Sequence, residues 1–109
     1  MNNSGTRRYP RIPVEHPLLA ELMEEPEEGG FGLTNVVGLG GCSFLTSRTF
    51  GQSKKLKLTI SLLGKVIEAE ARVVYENPAD GGKWEIGVEF VKISPFDKYS
   101  IEALFQKKE

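Results

Sequence analysis

The chain has 109 residues, 39% hydrophobic and 27% charged, with a formal net charge of -1. That length fits a single domain with an economical core, and the near-balanced charge argues against a nucleic-acid binder held by a broad basic face. One cysteine, Cys42, and one histidine, His16, leave no internal disulfide and no zinc ligand set to assemble. No window approaches about 18 continuous apolar residues, so no membrane-spanning helix is expected. The first six residues, Met1 to Thr6, lack an apolar signal core. A cytoplasmic location is the natural reading.

Charge is distributed unevenly. Arg7, Arg8 and Arg11 form a basic cluster, followed by an acidic one at Glu24, Glu25, Glu27 and Glu28. The acidic cluster reads as a solvated loop. Taken alone, the arginine cluster reads as a solubilising terminus. Between the two, Ile12 to Glu15 looks extended, and Leu18 to Glu25 has the composition of a helix. His16, followed by Pro17, reads as a loop or edge residue.

Phe31–Val37 and Cys42–Ser47 are short, apolar and bounded by glycine, which predicts two strands around a tight turn at Gly38–Gly41. Gly40 and Gly41 are expected to supply positive φ there. Cys42 reads as a small buried hydrophobe. The clearest signal follows. Leu56, Leu58, Ile60 and Leu62 alternate with Lys55, Lys57, Thr59 and Ser61, the pattern of a half-buried strand. A short turn at Leu63–Lys65 leads to a second alternating run, with Ile67, Ala69, Ala71, Val73 and Tyr75 on one face.

A cluster of turn formers from Asn77 to Gly82 precedes a third run, in which Trp84, Ile86, Val88 and Phe90 share the apolar face. Trp84 therefore reads as core. Three such strands need a closed or covered sheet. Ser94-Pro95 then suits an N-cap with proline at the first helical position, and Ile101, Leu104 and Phe105 fall at helical spacing, predicting a short amphipathic helix over 95–106.

An enzyme is not indicated. There is no Ser-His-Asp set, catalytic carboxylate pair, phosphate loop or metal cluster. Gly38-Leu39-Gly40 is a fragment of a dinucleotide fingerprint without its strand-to-helix context. Single-stranded nucleic-acid binding would call for exposed aromatics along a basic groove.

Two motifs carry a resemblance. Arg7-Arg8-Tyr9-Pro10-Arg11 fits RxxxR with Arg7 and Arg11, and Asn35-Val36-Val37-Gly38-Leu39-Gly40 stands where D/NxSxxG is expected. With Ala71–Tyr75 and Trp84–Phe90 downstream, the chain resembles the PilZ domain family from residue 7 to about 106. The resemblance implies a mainly β fold, a six-stranded antiparallel barrel with a short C-terminal α-helix. It divides the chain into a tail, 1–6, and a single domain, 7–109. It also makes residues 14–24 the first strand, against their helical composition.

The family's usual activity is binding the bacterial second messenger cyclic di-GMP. The resemblance implies that Arg7, Arg8, Arg11, Asn35 and Gly40 contact it, with no metal and no other cofactor. Arginine suits this ligand because it bonds phosphate bidentately and pairs with or stacks on guanine. Binding is expected to order the arginine arm and change the surface offered to a protein partner. No DNA, RNA or membrane insertion is implied. The chain departs from the motif at Val37, where a serine is expected and no hydroxyl is present. That departure supports an alternative: a degenerate PilZ domain acting as a protein-interaction adaptor.

Overall fold

The computed structural model describes residues 11–13 and 15–107. Seven strands precede one helix: β1 (Arg11–Pro13), β2 (Pro17–Leu22), β3 (Gly29–Gly38), β4 (Gly41–Thr46), β5 (Lys55–Leu62), β6 (Lys65–Pro78), β7 (Trp84–Ile93) and α1 (Pro95–Lys107). All pairings are antiparallel. Six strands close into a barrel in the order β3-β2-β5-β6-β7-β4, with β4 returning to pair with β3. The short β1 is an addition that pairs only with the end of β3.

The helical composition of 18–25 does not prevail. Leu18 and Ala20 enter the core and Leu22 packs against it, on the face opposite Leu19 and Glu21, and β2 gains ladders on both sides, to β3 and β5. Two neighbouring ladders and core burial outweigh a weak local propensity. The expected 14–24 strand is correspondingly shorter, running from Pro17 to Leu22.

Alternation predicts β5 residue by residue: Leu56, Leu58, Ile60 and Leu62 are buried. On β6 it holds through Ile67, Ala69, Ala71 and Val73, then fails at Tyr75. Val73 pairs with Val88 but Tyr75 pairs with Gly87, so Val74 is an extra residue. Such a bulge reverses the faces. Tyr75 lies on the outer wall over Gly87, where a Cβ would collide with its ring, and its hydroxyl donates to Glu85 Oε2 at 3.3 Å.

The same reversal aims Glu76 at the β4–β5 connection, where its carboxylate accepts the Phe50 and Gly51 N–H groups at 2.6 and 3.1 Å. Phe50 itself is core, in an edge-type contact with Phe44 and with the Arg48 guanidinium 4.7 Å from its ring centroid.

The helix is anchored as its sequence predicts. Ser94 Oγ accepts the Asp97 N–H at 3.1 Å, and Asp97 Oδ2 accepts the Glu68 N–H, docking the first turn onto β6. Ile101 and Leu104 are buried, while Phe96 and Tyr99 stay exposed. Trp84 and Phe90 are partly buried against the core, and Cys42 is fully inside it. No helix among the described residues is long and apolar enough to cross a membrane.

The β5–β6 hairpin turns on two residues, Leu63 at φ 52° and Gly64 at φ 84°, with Leu62 opposite Lys65. Two positive φ values belong to the type I′ turn that suits hairpin twist, and a non-glycine side chain there costs about 1–2 kcal/mol. Leu63 is exposed and repays nothing through burial. Leu63→Asn is therefore expected to stabilise the fold by about 1 kcal/mol, since asparagine tolerates this conformation. Thermal unfolding checks it: an increase in Tm of roughly 4–8 °C is expected, and an unchanged or lower Tm refutes the strain at Leu63.

Candidate functional site

The two motifs meet at the end of β3. The register of β1 sets Arg11 opposite Gly38, Ile12 opposite Val37 and Pro13 opposite Val36. The last arginine of the first motif is thus hydrogen-bonded alongside the second. Because β1 runs antiparallel to β3, its N-terminal end lies at the Leu39-Gly40 turn. Arg7 and Arg8, with the expected 1–6 tail, lie outside the described residues.

Asn35 occupies a bulge. Thr34 pairs with Phe44 and Val36 with Ser43, so β4 offers Asn35 no partner of its own. Bulges of this kind re-aim a side chain out of the regular alternation. The strand is held just before it by a reciprocal pair. The His16 N–H donates to Thr34 Oγ1 at 2.8 Å, and the Thr34 N–H donates to the His16 carbonyl at 2.9 Å. Thr34 is fully buried and Asn35 half-buried. His16 lies in the β1–β2 connection as expected, tied to β3 through its backbone, and its ring Nε2 is buried with no hydrogen-bond partner among the described residues.

Past the bulge the faces are reset, and Val37 points into the core with no exposed surface. The turn that follows differs from the expectation. Neither Gly40 nor Gly41 is among the glycines at positive φ. Gly40 is exposed, and its carbonyl accepts the Phe90 N–H at 2.8 Å. Gly41 is required for another reason: a Cβ there would collide with the Val88 carbonyl and lie 3.0 Å from the Glu89 Cα. Close approach of β4 to β7, rather than a left-handed backbone, makes this position glycine.

The arrangement is an open outer face. Two concavities of about 360 and 230 Å3 lie elsewhere. The first is lined by residues of 22–25 and 53–55 and the second by Met23 with residues of β5, β6 and β7, and neither includes a motif residue. Among the described residues no group of three or more side chains is arranged to hold a metal ion. What the face offers is the half-buried Asn35, a low glycine step at exposed Gly40 and half-buried Gly41, with Gly38 buried behind it, and the strand that carries Arg11. Sequence reasoning did not single out the Arg72–Glu89 ion pair, 3.0 Å long, beside this step. It also missed Tyr75 over Gly87, for which a lone glycine inside an apolar strand was the available signal.

The comparisons agree with this architecture. The chain superposes on the Bacillus subtilis inhibitor of motility (MotI/DgrA) with a TM-score of 0.79 at 21% identity, covering 94% of this chain but 50% of that one. It superposes on the PilZ domain of Escherichia coli YcgR with c-di-GMP at a TM-score of 0.69 and 16% identity, covering 94% and 95%. For the PilZ domain of CeSA from a cellulose-synthesizing bacterium the values are 0.64 and 16%, covering 92% and 99%. The chain thus spans half the length of MotI/DgrA and nearly all of the two isolated domains. No curated protein sequence matches it. The family profile described as PilZ domain matches residues 5–107, and the chain belongs to the PilZ domain family.

Proposed function

We propose that this protein is a binding module for cyclic di-GMP, not an enzyme, in which Arg7, Arg8 and Arg11 grip phosphate and guanine while Asn35 and Gly40 complete the site. The observation that carries the reading is the β1–β3 register: Arg11 opposite Gly38, one pairing from the turn that ends the second motif. Membership of the PilZ family supports it, as does the YcgR domain, whose structure was determined with c-di-GMP. On this reading the single domain is 7–109, the tail is 1–6, and the protein works in the cytoplasm of a bacterium. Ligand binding orders the arginine arm against the barrel and alters the surface met by a protein partner.

The adaptor alternative drew on the missing hydroxyl at position 37. Val37 belongs to the barrel interior, so its side chain withholds nothing from the outer face. That favours nucleotide binding over a site lost by substitution.

Calorimetric titration tests the reading. Binding in the micromolar range, on the order of -8 kcal/mol, is expected, weakening with added salt as phosphate contacts are screened. No heat at about millimolar ligand overturns it. Arg7→Ala and Arg11→Ala are each expected to weaken binding by about 1.5–3 kcal/mol, the contribution of a hydrogen bond to a charged group. Thermal stability should change by less than about 0.5 kcal/mol.

Val37→Ser is expected to act in the opposite way. Burying a hydroxyl and removing two methyl groups from the core should destabilise the fold by about 1–3 kcal/mol, with no gain in affinity. A tighter complex at unchanged Tm would instead mean that position 37 reaches the ligand.

A further inference from the structure

The register of five strands aligns one row across the outer wall. Arg11 is opposite Gly38. Gly38 and Gly41 flank the two-residue turn, one step beyond the Val37–Cys42 pair. Gly41 is opposite Glu89, and Glu89 is opposite Arg72. The row therefore begins at an arginine, crosses two positions with no side chain, and ends at an ion pair. The gap cannot be filled by substitution at Gly41, because a Cβ there meets the β7 backbone. Neighbouring strands are about 4.8 Å apart, so Glu89 stands one strand from the turn. It is also fixed relative to the turn, because the next residue, Phe90, donates its N–H to the Gly40 carbonyl.

The Glu89 carboxylate is set up to accept. Arg72 Nη1 donates to Glu89 Oε2 at 3.0 Å, and Oε1 carries no hydrogen bond among the described residues. Both side chains are about half exposed, at 43% and 51%, so the pair is reachable from the glycine step. A carboxylate acceptor beside a low glycine step matches one nucleobase in particular. Guanine presents two adjacent donors, N1–H and the N2 amino group, which fit the two oxygens of a carboxylate. Adenine presents a bare N1 acceptor at the same edge, which a carboxylate repels.

We infer that Glu89 is the guanine-selecting residue of this site, reading N1–H and N2–H of a base laid over Gly40 and Gly41, and that Arg72 positions its carboxylate. The inference rests on the proposed function. It deepens that reading by assigning the edge of the ligand that lies farthest from the arginine motif.

Glu89→Gln tests it, because the amide keeps the shape but turns one acceptor into a donor that faces guanine donors. Titrations of the full chain with cyclic di-GMP and cyclic di-AMP are compared with melting curves. The wild-type protein should prefer cyclic di-GMP. In the Glu89→Gln variant, affinity for cyclic di-GMP should fall about 10- to 100-fold, as expected when a charge-assisted hydrogen bond is lost. Affinity for cyclic di-AMP should not fall, and Tm should be unchanged, since an exposed pair contributes little to folding. Arg72→Ala should reduce the same selectivity ratio, and Arg72→Lys should restore part of it.

A wild-type ratio in Glu89→Gln, from a protein whose parent binds cyclic di-GMP, overturns this inference and leaves the proposed function standing. So does an equal loss of both ligands with a lowered Tm, which marks a structural role. Failure of the wild-type protein to bind cyclic di-GMP overturns both.

Discussion

Strand β3 has ten residues, and no single neighbour can satisfy its backbone on the side facing β2. From Gly29 to Leu33 the partner is β2, and from Val36 to Gly38 it is β1. The chain must break between those two partners, and it does so between Pro13 and Pro17, each of which lacks an N–H and suits the end of a strand. The reciprocal bonds between His16 and Thr34 then span the break, where an orphaned backbone group would carry the full cost of desolvation. The proposed ligand face depends on this handover, because β1 brings Arg11 beside the turn only by taking over the end of β3.

The bulge at Asn35 follows from the same geometry. On its other side β3 must stay in register with β4 while its partner changes from β2 to β1. One extra residue absorbs the added twist. Thr34 before it and Val37 after it both remain buried, so the core is continuous through the irregularity. The extra residue is Asn35, which β4 leaves without a partner of its own. A second bulge, at Val74, lies on the far side of the face. It turns Tyr75 outward over Gly87 and Glu76 toward the backbone of Phe50 and Gly51.

These bulges explain which parts of the molecule were legible in the sequence. Unbroken period-two alternation reads β5 correctly, along with most of β6 and the first part of β7, and the Ser94-Pro95 cap marks the start of α1. Alternation counts positions, however, and has no means of detecting an inserted one, so Tyr75 was assigned to the wrong face. The run at 18–25 was misread by composition because its helix-forming residues sit between two strands, and those pairings lie far off in sequence. The glycine reading was partly right. A glycine is needed at the turn, but close packing of β4 on β7 demands it at Gly41, and only tertiary contact reveals that. The Arg72–Glu89 pair left no local signal, since its two members are 17 residues apart.

Outside the glycine step, the wall of the barrel is written mainly in alternating charge. Glu21, Lys57, Glu70 and Lys92 lie in one cross-strand row of alternating sign. Pairs of this kind contribute about 0–1 kcal/mol each, so they keep the surface soluble and in register more than they stabilise it. Stability is supplied by the inward faces of the same strands. The division leaves most outer residues free to change without disturbing the core, and Arg72 and Glu89 are of that kind. Asn35 and Gly41 are not, because one sits on a bulge and the other under a neighbouring backbone. The proposed ligand face is therefore built from two sorts of residue. A few are fixed by how the barrel closes, and around them stand others whose chemistry can be set independently of the fold.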